Sequence, residues 1–306
     1  MDHLTWAYCS LRDAWQTLSN DEDCDDDAPW NQWMSGETDD PVTEREMLLQ
    51  KAQLAAADAG KSVLHHLRLL ARAYPPDALA DDGLDPNDWP GFASYTLARA
   101  VLEGAAVSTW LLTPDPDERC RRSARLELWS ACERRKDGPP LPAGQPGSVE
   151  AIQAIVEGAG FEVREFGRAT ESGRDVGVVI DEHPRSFYTT EAVRNLFGQQ
   201  GKTYYHDWSG TAHHAPWALM PWTTIRRNDD DTGLHLSTSV FEDKHVELAA
   251  DLAVVLRAAG VSIGDFYGRD TSTYLKICTN VDTHLRSQIP AIRQALGRPG
   301  DDPTSQ

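Results

Sequence analysis

No run of 18 consecutive apolar residues occurs in this 306-residue chain, and its mean hydropathy is −0.50. No membrane-spanning helix and no membrane partner are therefore expected. The start, Met1-Asp2-His3-Leu4-Thr5-Trp6, has neither the basic nor the apolar region of a secretory signal, so a cytoplasmic location is the expectation. Cysteine is scarce. Its five copies (Cys9, Cys24, Cys120, Cys132, Cys278) are odd in number, scattered and without a CxxC pair, which argues against a disulfide framework or a zinc ribbon. Basic residues are also few: 29 Lys and Arg face 48 Asp and Glu, a net charge of −19. That balance disfavours broad nucleic-acid binding but leaves room for a small anionic ligand or nucleotide. There is no HExxH, no repeat at solenoid spacing, and no pattern that demands a metal or cofactor.

The negative charge is uneven. Residues 20–46 hold eleven acids and one arginine, more than half of the net charge. Adjacent carboxylates repel and nothing periodic surrounds them, so residues 1–43 read as a short helical lead, over 4–18, and a mobile, solvated acidic linker. Beyond it, Thr43-Glu44-Arg45-Glu46 has the form of a capping box. Apolar residues then recur at a helical period from Leu48 to Leu70 and stop at Tyr74-Pro75-Pro76. A second helix over 90–112 is apolar on most of its surface and reads as central and buried. A third, over 117–136, carries Arg119, Arg121, Arg122, Arg125 and Arg134 among acids. It reads as a solvated, salt-bridged face in preference to a phosphate-binding patch.

The Gly/Pro-rich residues 138–144 mark a boundary. A helix over 149–158 and two short runs, 161–166 and 176–180, suggest a β-hairpin insertion. Helices are expected over 190–197, 202–219, 241–259 and 271–296, with Gly260 and Gly297 as stops; residues 223–239 read as a second hairpin or a loop. The expected organisation is a lead and linker (1–43), a helical hairpin core (44–138), a helix with a β-hairpin (139–188), completing helices (189–297) and a disordered tail (298–306). The fold class is mostly α, a helical bundle with a small β-hairpin insertion.

Two groups of residues could carry chemistry. Arg99 and Glu103 are four apart on the central helix, and Trp110 follows seven later along the same face. A charge inside an apolar helix must be paired or must line a cavity. The second group runs from Tyr204 to Trp217, where Tyr205, Ser209 and His213 repeat every four residues and His206 precedes His213 by seven. Histidines there could ligate a metal with Glu103 or Asp207, pair with Ser209 for nucleophilic or acid–base work, or hydrogen-bond an anion. The plain alternative is a core-facing histidine bonded to a neighbouring helix. Ser209 is not in a GxSxG motif. His65 and His66, being adjacent, point to different faces and read as surface residues.

Three stretches carry a family resemblance. They are Ala98-Arg99-Ala100-Val101-Leu102-Glu103-Gly104-Ala105-Ala106 running into Trp110-Leu111-Leu112-Thr113-Pro114-Asp115; His183-Pro184-Arg185-Ser186 with Thr189-Thr190; and residues 205–219 with Tyr205, Ser209 and His213 at intervals of four. Together they resemble mostly actinobacterial helical proteins of the HEPN-like type, over roughly residues 44–219 and more loosely the last two helices. The resemblance implies a HEPN-like bundle able to dimerise or bind ligands, in a group that includes ribonuclease toxins and defence proteins. Such ribonucleases place a histidine five to seven residues after an arginine, and none of the ten histidines here has one. The resulting expectation is a binding or assembly protein for stress or phage defence. Its polar inter-helix pocket would be lined by Arg99, Glu103, Tyr205, His206, Ser209 and His213. The alternatives are an enzyme, either an atypical ribonuclease or a metal-assisted hydrolase using the His206/His213 cluster with Glu103, and a purely structural interaction protein; Ser209, His213 and His206 are the catalytic candidates.

Overall fold

The computed structural model describes residues 2–20, 28–29, 42–74, 91–137, 141–168, 175–180, 189–213, 223–227, 234–238 and 242–295. The acidic linker run 21–27, the loop 228–233, Pro216 and the tail 298–306 lie outside the described residues, as does the His183–Ser186 motif. The helices are α1 (Asp2–Asn20), α2 (Glu44–Ala73), α3 (Ala93–Leu111), α4 (Pro116–Asp137), α5 (Val149–Gly158), α6 (Thr189–Ala212), α7 (Glu242–Tyr267) and α8 (Ser272–Ala295). Strands β1 (Val163–Arg168) and β2 (Asp175–Ile180) pair antiparallel, as do β3 (Thr223–Arg227) and β4 (Leu234–Thr238). The architecture is mostly helical, and no helix among the described residues is long and apolar enough to cross a membrane.

Local chemistry sets the helix starts. The Thr43 hydroxyl accepts from the Glu46 amide at 3.2 Å, and the Glu46 carboxylate accepts from the Thr43 amide at 2.7 Å, a complete capping box on α2. Ser148 caps α5 through the Ala151 amide, and the Asp115 carboxylate receives the Asp117 amide beside Pro116 at the head of α4. Helix α6 is interrupted at Gly198, whose φ of 58° lies where an L side chain rarely goes. The two helices expected over 190–197 and 202–219 thus meet at a kink at Gly198, and residues 214–219 lie outside the described residues.

Helix α3 sits at the centre and packs on α2, α6, α7 and α4. Gly104 allows a close approach to α2: a Cβ there would lie 2.9 Å from Val63 Cγ2 and 3.0 Å from the Ala59 carbonyl. Helix α1 corrects the sequence expectation of a lead outside the body. Leu4, Tyr8, Leu11 and Trp15 are buried in the main core, and the Trp15 indole donates to the Gly60 carbonyl of α2 at 3.0 Å. A second, smaller core joins α2 (Leu48, Leu49), α4 (Cys120, Leu128) and α5 (Ile152, Val156). Gly260, expected as a stop, lies inside α7. The Tyr274 ring of α8 occupies the space a Cβ would need, and its hydroxyl donates to the Leu256 carbonyl at 2.7 Å.

Candidate functional site

Arg99 of α3 is the hub of a polar cluster between α3 and α6. Its Nε donates to Glu103 Oε1 at 2.8 Å, one Nη donates to His213 Nε2 at 2.8 Å, and the other donates to the Tyr205 hydroxyl at 3.2 Å. The guanidinium carbon also stands 5.1 Å from the Tyr205 ring centroid. Arginine has no acceptor, so His213 Nε2 carries a lone pair and the neutral ring keeps its proton on Nδ1. Burial works against the Arg99 charge, but the Glu103 hydrogen bond and charge, helped by Tyr205, raise its pKa above the ordinary value. The helical spacing explains the convergence: Tyr205 and His213 are eight residues apart, two turns of one face, and span one arginine fork.

The structure departs from the sequence expectation in three respects. Arg99 and Glu103 are not buried; their side chains are 23% and 30% exposed, at the edge of the α3–α6 contact. His213 is exposed and bonded to the neighbouring helix, so it is not a core-facing histidine. His206 does not join the cluster. It is exposed, and its Nδ1 lies 3.5 Å from the adjacent Asp207 carboxylate. Among the described residues no group of three or more His, Cys, Asp or Glu is placed to hold a metal. The metal site of Glu103, His206 and His213 is not assembled. Ser209 is half-buried between Tyr205 and His213 on α6, and its carbonyl accepts the His213 amide at 3.0 Å. With His213 Nε2 taken by Arg99, a Ser209–His213 nucleophile pair has lost that nitrogen. Trp110 lies in the core, under Arg122 and Arg125.

The basic helix α4 is salt-bridged and only partly solvated: Arg121 and Arg122 are partly exposed and Arg134 is exposed, but two of its arginines are buried. Arg119 is buried, donates to the Thr113 and Pro114 carbonyls and lies 4.6 Å from the Phe266 ring centroid. Arg125 is buried and grips Glu191 of α6 with two bonds of 2.8 and 2.6 Å. Arg121 and Arg122 share Glu118. Desolvation works against the Glu118 charge, yet their hydrogen bonds hold its pKa below the usual carboxylate value. On α2, His65 is exposed and the His66 ring turns back to the Ser62 carbonyl at 2.7 Å, both consistent with surface placement.

A second polar centre was not anticipated. The buried Tyr74 hydroxyl sits 2.8 Å from Ser94 Oγ and 2.6 Å from His245 Nδ1, which joins the end of α2 to the starts of α3 and α7. Tyr8 of α1 stacks on Tyr74 with centroids 5.4 Å apart. Burial lowers the His245 pKa from 6.5 to about 4, and burial raises the Tyr74 pKa. Two proton orders satisfy the chain with a neutral His245: Ser94 donates to Tyr74 and Tyr74 to His245 Nδ1, or His245 Nδ1 donates to Tyr74 and Tyr74 to Ser94. The signal available in the sequence was register: His245 precedes Leu248, Ala249 and Leu252 by three, four and seven, on the apolar stripe.

The sequence also contains Gly260-Val261-Ser262-Ile263-Gly264, a GxSxG pattern outside the singled-out residues. It is no nucleophile elbow. Ser262 is inside α7 with its hydroxyl 3.5 Å from the Ala258 carbonyl, and the two glycines make room for Tyr274 and Thr271. Compared with known proteins, the chain matches no family model, no curated protein and no solved structure.

Proposed function

We propose that this chain is a HEPN-like binding and assembly protein whose Arg99 cluster takes up the phosphate or carboxylate of a small anionic ligand or nucleotide. The supporting observation is the three-way hold on one partly exposed guanidinium by Glu103, Tyr205 and His213. The group is oriented in advance, and an arginine has five N–H donors, so some remain for an oxyanion. Glu103 is the built-in competitor. A cytoplasmic setting, self-association and a role in stress or phage defence belong to the same reading.

The test is calorimetric titration of the full chain with inorganic phosphate and with AMP at low ionic strength. Saturable binding is expected, lost in Arg99→Gln and tightened in Glu103→Gln, where the competing charge is gone. No binding by the wild type, or equal binding by Arg99→Gln, overturns the proposal.

A second reading draws on the same contact. The contact of the partly exposed Arg99 of α3 with the exposed His213 at the end of α6 is similar to the arginine–histidine pair that the resemblance links to RNA cleavage. It requires RNA cleavage by purified protein that His213→Ala abolishes; cleavage unchanged in that variant removes it.

A further inference from the structure

A different pair of histidines lies on the opposite side of the sequence, where α1 meets α8. His3 Nδ1 and His284 Nε2 are 3.0 Å apart, with ring centroids 5.0 Å apart and planes tilted by 53°. Both side chains are half-buried, and the partly exposed Trp6 indole stands edge-on to the His284 ring at 5.1 Å. In the absence of metal this contact is a hydrogen bond between two imidazoles, one ring donating and the other accepting.

We propose that His3 and His284 form a two-histidine site for a divalent transition ion of the zinc class. The distance carries the argument. An ion about 2.0–2.1 Å from each of two nitrogens 3.0 Å apart subtends roughly 95° between them. Opening that angle to the tetrahedral value separates the nitrogens by only about 0.3 Å more, within reach of side-chain rotation. Binding needs a lone pair on both facing nitrogens. The donor ring supplies one by shifting its proton to its other nitrogen, so no net charge is lost from the protein. Waters complete the coordination, since no third His, Cys, Asp or Glu joins the pair among the described residues. Imidazole donors suit zinc, nickel and copper over magnesium or calcium. Because the ligands are 281 residues apart in sequence, an occupied site ties α1 to α8 across the whole chain.

The probe is Zn2+, which does not deprotonate backbone amides, titrated into tag-free full-length protein by calorimetry with thermal unfolding in parallel. The wild type is expected to bind one equivalent with micromolar affinity and to unfold at a higher temperature with zinc. His284→Ala is the decisive variant, because it leaves the start of the chain untouched. It should weaken binding at least about tenfold and abolish the thermal shift, and His3→Ala should do the same. His65→Ala, remote on α2, should leave both readings unchanged. Circular dichroism checks that each variant is folded. If His284→Ala binds zinc as the wild type does, or the wild type shows no saturable binding, the site does not exist. Neither outcome touches the Arg99 proposal, which uses other residues and other ligands.

Discussion

Replacing His245 should change how the protein responds to acid more than it changes the fold. The imidazole is buried, takes part in the Tyr74–Ser94 chain and titrates near pH 4 in the folded protein against 6.5 when unfolded. Between those values the unfolded chain binds about one more proton than the folded one. Stability therefore rises with pH across the window and is lost on acidification from 6.5 down through 4. The slope for one proton is about 1.4 kcal/mol per pH unit, so the whole window is worth about 3 kcal/mol. Carboxylates titrate nearby with both signs: Glu118 is held low despite its desolvation, while Asp251 is raised chiefly by burial. The measurement must therefore be a difference. His245→Asn keeps an acceptor near the Nδ1 position but has no proton to gain. Urea unfolding of both proteins at half-unit steps from pH 7 to 4.5 should show the variant less stable at pH 7 and less sensitive to acid. The two stabilities should converge as pH falls. Parallel curves would refute the reasoning, as would an NMR titration that finds His245 in the folded protein protonating near 6.5.

Gly104→Ala should lose about 1–3 kcal/mol in urea unfolding despite the better helix propensity of alanine, because its Cβ meets Val63 and the Ala59 carbonyl. Adding Val63→Ala should recover part of the loss, and no recovery would place the cause elsewhere. At the Arg125–Glu191 pair the two partners should be unequal, since Arg125 is 4% exposed and Glu191 39%. Glu191→Ala leaves a buried guanidinium without its carboxylate and should cost about 3 kcal/mol, more than Arg125→Met, which leaves a carboxylate that water can reach. The reverse order, by the same unfolding assay, would mean that packing rather than charge sets the cost.

Features that depend on neighbours in sequence were readable from it. Thr43 and Glu46 lie within one turn, so their reciprocal capping is visible as a motif. The same holds for Tyr205 and His213, where a period of four states which side chains share a face. It does not state which members of a face meet the neighbouring helix: Tyr205 and His213 reach Arg99, and His206 stays exposed beside Asp207. Long-range packing was not readable. A glycine that ends a helix and one that admits a tyrosine ring look alike, and Gly260 is the second kind. His245 meets Tyr74 across 171 residues, and no local pattern marks that meeting. The register of His245 on an apolar stripe is a local hint, but it names no partner.

The arginines of α4 bear most directly on function. Counted along the sequence, they are the one concentration of positive charge in an acidic chain, and a local RNA contact would have needed them. In the fold, Arg119 serves backbone carbonyls and an aromatic ring, Arg121 and Arg122 neutralise Glu118, and Arg125 closes on Glu191. Arg125 thereby joins α4 to α6, while Arg121 and Arg122 pair within α4 and Arg134 is exposed. Arg99, 23% exposed, is held by Glu103 of its own helix and by Tyr205 and His213 from α6, whereas Arg121, 27% exposed, is held by Glu118 within α4. On the proposed reading the ligand is an anion small enough to need one guanidinium, and a nucleic-acid backbone, which needs several spaced cations, is disfavoured.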